Sequence, residues 1–385
     1  MDASLAAELA VWRRHLHAHP ELSNQESQTA AFVQERLTEL GVPFTAGVGG
    51  YGIVATIART HGPGGGSNRS VGLRADMDAL AITETTGLPY ASTNPGVMHA
   101  CGHDGHTTSL LGAAALLMAD KTWSGTVHLV FQPAEEGGGG AKAMLADGLL
   151  ARFPMERIFG YHNWPGLEAG TVAVHPGPVM AAGARVTFTI NGQSGHAALP
   201  HQSHDPIVAA GHLIVALQTI VARNVDPIDS GVISLGVIEG GAAPNQIPSQ
   251  VKIRGTCRSF TLATREIIDA GIYRVAAGVA AMMGVEINVD LTYGMGATIN
   301  HKAEADMAAV AAAGAGLAVR RDLPPAMTGE DFSWMLQACP GAYVWIGNGP
   351  GGKGRDLHND GYDYNDAILP AAATYLASVA KRALS

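Results

Sequence analysis

The sequence predicts an α/β protein that carries a compact α+β insert, and three observations lead there. Strand-like runs alternate with helical ones over the first part of the chain, the order of an α/β layer architecture. Near Ala184 the texture changes to strand-like runs interleaved with two long helices, for about a hundred residues. Beyond it a helix, a short strand and a closing helix resume the earlier pattern. The expected division is therefore 1–183, 184–297 and 298–385, the outer two pieces forming one domain.

Taken in order, Leu5, Leu9, Trp12 and Leu16 recur at helical spacing between Leu5 and His17, and a second helical stretch from about Glu26 to Leu40 stops at Gly41. His15, His17 and His19 stand at a helix end before Pro20, where capping or solvated histidines are commoner than ligands. Gly47 to Gly52 has the letters of a dinucleotide fingerprint, but that motif needs a helix after its glycines, and Ile53 to Ile57 reads as a strand. A hairpin turn is expected there instead, and Gly62 to Ser67 reads as a loop between two strands. Val71 to Leu80 starts as a buried strand and ends in acids, Ser109 to Met118 is a small-residue helix, and Thr126 to Gln132 is a strand. A glycine run from Gly137 to Gly140 leads into a helix from about Ala141, and Arg157 to Tyr161 is the next strand.

In the insert, strands are expected at Arg185 to Ile190, Gly231 to Glu239, Gln250 to Arg258 and Val285 to Leu291, with helices at Pro206 to Val221 and Leu262 to Met282. The last piece holds a helix from Ala303 to Ala315, a strand from Tyr343 to Ile346 and a helix from Ala367 to Leu384.

A hydrophobic fraction of 47%, a charged fraction of 15% and a net charge of −9 describe an ordinary globular chain without the basic face that nucleic acid or an anionic membrane would require. Small-molecule work is the better expectation. Three scattered cysteines, Cys101, Cys257 and Cys339, do not make a disulfide framework and suit a reducing, cytoplasmic setting. The N-terminus lacks a basic region followed by an apolar one, and no uninterrupted apolar run reaches the length of a membrane span.

The residues that could carry chemistry gather at expected strand ends. Met98 to His106 packs His99, Cys101, His103, Asp104 and His106 among small residues, and a thiolate two residues from an imidazole can turn toward one zinc-like cation. Asp76, Asp78, Glu135, Glu136 and His162 follow other strands, and His358 lies in a glycine-rich loop. The adjacent acids Glu135 and Glu136 repel each other unless a cation or proton sits between them; one can ligate while the other serves as a general base. Asp78 or Asp104 could orient an imidazole ligand. Two nucleophile readings compete less well. Gly192-Gln193-Ser194-Gly195-His196 lacks the last glycine of a nucleophile elbow, and Cys101 and His103 share a metal more easily than they form an attacking pair.

Arg14-His15-Leu16-His17, Pro20-Glu21-Leu22-Ser23, Arg74 to Leu80, Met98 to His106, Gln132-Pro133-Ala134-Glu135-Glu136, Gly195-His196-Ala197-Ala198 and Gly329-Glu330-Asp331-Phe332 resemble the motifs of the metal-dependent amidohydrolases. That group holds the hippurate hydrolases, the indole-acetyl-amino-acid hydrolases and N-acetyl-diaminopimelate deacetylase, within the wider aminoacylase and carboxypeptidase G family. The resemblance implies a metallopeptidase-like catalytic domain with a mixed central sheet flanked by helices, and a smaller lid domain used for homodimerisation. It implies two divalent metal ions per subunit, zinc, manganese, nickel or cobalt, held by Cys101, His103, Glu136, His162 and His358, with Cys101 in the bridging place.

By the same resemblance, Glu135 is the general base and acid, Asp78 assists, and His196 stabilises the oxyanion, within its own subunit or across the dimer. Asn245 and Arg258 hold the substrate. The implied reaction is hydrolysis of an N-acyl amino acid; a deacetylase of small N-acetyl amino acids is the alternative, and a silent binding protein the reading from another class. One departure stands out: Asn359-Asp360 follows His358, where the family often has Ser-Pro or Asn-Pro.

Overall fold

In the computed structural model, which describes residues 2–59 and 68–385, an eight-stranded mixed sheet organises the larger of two units. The loop expected from Gly62 to Ser67 lies outside the described residues. The larger unit runs to Val179 and takes up Thr298–Pro324 and Asp331–Ser385; the smaller one is Met180–Ala297 with a short return at Pro325–Glu330.

Six of the strands, β1 (Phe44–Ala46), β2 (Ile53–Arg59), β3 (Ser70–Asp76), β4 (Gly125–Gln132), β5 (Arg157–Pro165) and β6 (Thr171–Ala173), combine with Gly341–Gly349 and Ala318–Arg320. Their order is β1, β2, β4, β3, β5, Gly341–Gly349, β6 and Ala318–Arg320. The centre is parallel: β3 pairs in parallel with β4 and β5, and β5 with Gly341–Gly349. β1 and β2 close one side as an antiparallel hairpin whose turn is the glycine run 47–52, as expected. Parallel strands require crossovers, and parallel sheets are covered on both faces. Hence β3, β4 and β5 are buried nearly throughout rather than alternating.

Helix α1 (Ala3–Ala18) starts at Asp2, whose carboxylate accepts from the Leu5 N–H, and α2 (Ser27–Glu39) follows it. Helix α3 (His103–Ala119) is buried on all sides, against α1 and against Leu369–Leu384. A helix apolar all round belongs inside a core. Leu9, Leu110, Leu111, Leu117, Tyr375 and Leu376 are fully buried there, each contributing about 1.5–3 kcal/mol of transfer free energy. The expected start of this helix, Ser109, is six residues late. His103-Asp104-Gly105-His106-Thr107-Thr108 has little intrinsic helix preference, and burial of the whole turn overrides it.

The smaller unit has a four-stranded antiparallel sheet in the order Gly231–Gly240, Gln250–Ser259, Ala182–Asn191, Glu286–Tyr293. Helices Pro206–Asn224 and Leu262–Met283 pack on it through Leu213, Leu217, Ile220, Ile268 and Ile272, against Phe188, Ile190 and Ile253. Pro206–Asn224, with mean hydropathy 1.5, is the one helix among the described residues long and apolar enough to cross a membrane by length and composition; its buried stripe serves this core.

Candidate metal centre

The carboxyl ends of β3, β4 and β5 and the N-terminus of α3 meet at one rim. Asp76 closes β3, Gln132 closes β4 directly beside it, and His162 lies in β5. Gly102 precedes α3 in a left-handed conformation with φ 89°, and a Cβ there would collide with the Asn163 side chain and the Tyr362 hydroxyl. Only glycine lets Cys101 and His103 turn inward together. Beyond β4, Ala134 is also left-handed at φ 55°, and the turn it makes aims Glu135 and Glu136 at the same rim. The backbone N–H of His358 donates to the Ala100 carbonyl at 2.8 Å, which brings the 350–360 loop beside Cys101.

The structure brings together the five expected ligands and, beside them, Glu135. Ligand atoms of Cys101, His103 and His162 lie within 4.8 Å of one another, as do those of Cys101, Glu136 and His358, and those of His103, Glu135 and Glu136. Cys101 Sγ is 3.4 Å from His162 Nε2, and Glu136 Oε1 is 3.2 Å from His358 Nε2 and 3.9 Å from His103 Nε2. Two of these atoms, His103 Nε2 and Glu136 Oε1, are buried and have no hydrogen-bond partner among the described residues. Buried polar atoms rarely go unpaired, so a shared cation is what this donor set fits.

The surrounding bonds set the imidazole tautomers. His103 Nδ1 donates to Asp78 Oδ1 at 3.2 Å and His162 Nδ1 donates to the Asn163 carbonyl at 2.7 Å, leaving each Nε2 lone pair facing inward. His106 has both nitrogens occupied, Nδ1 by Asp76 at 2.6 Å and Nε2 by Asn163, which makes it a structural member. Asp104 pairs with His17 at 2.8 Å and Arg13 at 3.8 Å, away from the donors.

Burial, followed by the Glu136 and Glu135 carboxylates, raises the Cys101 thiol well above its ordinary value. Burial would likewise raise Asp76 and Asp78, but the charges of His103, His106 and Arg74 on the first, and the hydrogen bonds donated by His103 and Ser23 on the second, outweigh it and lower both. Burial opposes the charge on His103, yet Asp76 and Asp78 carry its pKa up to about 10. Burial and His106 hold His162 well below its ordinary value. A cation at this place would reverse the effect on the thiol and replace the His103 proton.

The remaining candidates belong to the smaller unit. His196 lies exposed on the two-residue strand Gly195–His196, paired with Gln246–Ile247, and the Ala197 N–H donates to the Asn245 carbonyl at 3.1 Å. Arg258 is the last residue but one of the strand Gln250–Ser259, its guanidinium packed over Gly183. Sequence reasoning missed two buttresses. Ser23 Oγ donates to Asp78 Oδ2 at 2.6 Å, and buried Arg74 binds Gln132, Asp76 and Asp331 at 2.8, 2.7 and 3.2 Å. Their residues lay inside the quoted motifs, but nothing local said what they touch.

A mixed α/β sheet whose carboxyl rim gathers thiol, imidazole and carboxylate donors beside a spare carboxylate defines a metal-dependent hydrolase. Comparison with known proteins agrees. Residues 72–382 match the family described as Peptidase family M20/M25/M40, and the chain belongs to that family. It is similar to the N-acetyl-L-cysteine deacetylase of Bacillus subtilis, 40% identical over 99% of this chain and 89% of that one. It is also similar to the hippurate hydrolase of Campylobacter jejuni, 38% identical over 99% and 97%. The crystal structure of a Bacillus subtilis protein described as a dinuclear metal binding peptidase of the M20 family superposes with a TM-score of 0.86, at 34% identity over 98% of each chain.

Proposed function

We propose that this protein hydrolyses the amide bond of N-acyl amino acids at a pair of divalent cations held by Cys101, His103, Glu136, His162 and His358. The observation that carries the reading is the facing pair of buried ligand atoms that make no hydrogen bond among the described residues, His103 Nε2 and Glu136 Oε1, with Glu135 beside them. Two cations bound there would polarise the amide carbonyl and acidify the attacking water. Glu135, held at Oε1 by the Asp331 backbone N–H at 3.2 Å, takes the proton from that water and passes it to the departing nitrogen. Asp78 fixes His103 and, through Oδ2, accepts from the Glu136 backbone N–H at 3.0 Å.

In this reading the smaller unit is a lid through which two chains dimerise. His196 supplies the oxyanion donor, Asn245 orients the substrate, and Arg258 binds its carboxylate as a two-pronged donor. The hippurate hydrolase relative favours an aryl acyl group, and the deacetylase relative supports the alternative of a small acetyl group. A silent binding protein would have no use for Glu135. The three buried, unpaired cysteines support a reducing, cytoplasmic setting.

The test is a hydrolysis screen over N-benzoyl, N-acetyl and indole-acetyl amino acids, with metal-stripped protein reloaded with zinc, manganese, nickel or cobalt. No turnover by protein carrying two metals sinks the hydrolase reading. Glu135→Gln is expected to keep its metals and lose about 10²–10⁴-fold in kcat.

A further inference from the structure

We propose that Glu26 is a positioning residue for the Glu135–Glu136 pair, holding the turn that aims both acids by accepting the backbone N–H of Ala134. Glu26 stands immediately before α2, where a side chain ordinarily caps its own helix. That work is done by Glu21 instead. Its carboxylate accepts from the N–H groups of Gln28 and Thr29 at 2.9 and 2.8 Å and from the Ser27 and Thr29 hydroxyls. The Glu26 carboxyl, fully buried, is released to reach a turn 108 residues away, where Oε1 accepts from Ala134 N at 2.8 Å and from Asn24 N at 3.0 Å.

Ala134 is the residue on which the aim of the pair depends. A left-handed alanine is a strained choice, and relaxing it to negative φ would redirect the two residues that follow. Its N–H is buried, so without Glu26 it would be a buried donor with no acceptor. The turn is closed on its far side by Gly137 N–H to the Glu135 carbonyl at 2.7 Å and Gly140 N–H to the Ala134 carbonyl at 3.0 Å. The same 20–26 segment holds the other end, because Ser23 donates to the Asp78 carboxylate that accepts the Glu136 N–H. The second oxygen of Glu26 has no hydrogen-bond partner among the described residues, and burial raises the pKa of the group. A neutral amide of the same length keeps the accepting oxygen in reach of the Ala134 N–H.

The kinetic arm rests on the amide-hydrolase reading; the exchange arm does not. Glu26→Gln keeps an oxygen at Oε1, Glu26→Ala removes it, and Glu26→Asp keeps the charge but withdraws it by one C–C bond, about 1.5 Å. Expected for Ala and Asp is a fall in kcat of about 10- to 100-fold with KM within about twofold and metal content unchanged, and recovery of most of kcat in Gln. Amide hydrogen exchange over residues 133–138, read by mass spectrometry without turnover, should speed up at least about tenfold in Ala and Asp and stay slow in Gln.

Wild-type kcat and slow exchange in a folded Asp or Ala variant overturn the proposal. So does loss of folding in all three variants, which would make Glu26 a core residue only. If Ala alone fails to fold, the contrast between Asp and Gln decides. A wild-type protein that hydrolyses no N-acyl amino acid sinks the proposed reaction, and the exchange contrast then decides the role of Glu26 alone.

Discussion

Asp78 and His103 lie 3.2 Å apart, Oδ1 to Nδ1, at the rim where β3 meets α3, and the contact turns His103 Nε2 toward Cys101 and Glu136. The same carboxylate accepts the Glu136 backbone N–H, so one side chain orients two of the proposed ligands. Asp78→Asn keeps the shape but removes the charge that fixes the tautomer. The expected outcome is about 10–100-fold weaker metal binding, measured by titrating stripped protein with zinc under a competing chelator. Unchanged affinity would remove Asp78 from the site.

Gly102 makes a second, sterically posed prediction. Gly102→Ala must adopt a left-handed conformation costing about 1–2 kcal/mol and must also displace Asn163 and Tyr362. Asn163 in turn holds His106, so the strain enters the centre rather than staying in the loop. Destabilisation of more than about 2 kcal/mol in urea melts, with weakened metal uptake, is expected. A variant as stable as the parent would show that the loop tolerates a right-handed alternative.

Much of the fold was legible because its signals are local. Helical spacing at Leu5, Leu9, Trp12 and Leu16 and strand runs such as Thr126 to Gln132 need no knowledge of the rest of the chain. The short strands Thr171–Ala173 and Ala318–Arg320 carry no such pattern; each exists because a neighbour pairs with it. In the site, Cys, His and paired Glu are conspicuous residue types, and their shared rim could be inferred from strand ends. The links Glu26 to Ala134 and Arg74 to Asp331, separated by 108 and 257 residues, leave no periodic trace. The start of α3 was hidden for a related reason, since His103 to Thr108 are helical by packing and not by preference.

His17 predicts a pH dependence of stability. Burial opposes its charge, but the hydrogen bonds it donates to Asp104 and Glu84 raise its pKa to about 9. A raised folded-state value means the contribution is complete below the unfolded value of about 6.5, shrinks between the two, and is gone above about 9. It is on the order of 3 kcal/mol at most. Urea melts between pH 6 and 9.5 should show the parent losing stability relative to His17→Gln across that window. Parallel curves for the two proteins would mean that His17 is neutral in the fold.

Arg74 gives the last prediction, because its charge is buried among groups that cannot all be replaced at once. It binds Asp76 and Asp331, and its guanidinium stands 5.4 Å from the centre of the Phe332 ring. Asp331 also accepts from Gln132 at 2.7 Å and from the Ala141 N–H at 3.0 Å, while its own N–H donates to Glu135. Removing one member takes an ionic partner from another buried charge, at a cost of about 3–5 kcal/mol. Arg74→Met and Asp331→Asn should each destabilise strongly, and the double variant should cost less than their sum by about 1–3 kcal/mol, since both changes remove the same ion pair. Because Asp331 holds Glu135 through its backbone, Asp331→Asn should retain more activity per folded molecule than Arg74→Met, which leaves two carboxylates facing each other. Chemical denaturation of the four proteins, with kcat measured on the folded fraction, checks both halves; strict additivity of the two costs would show that the pair does not act as a unit.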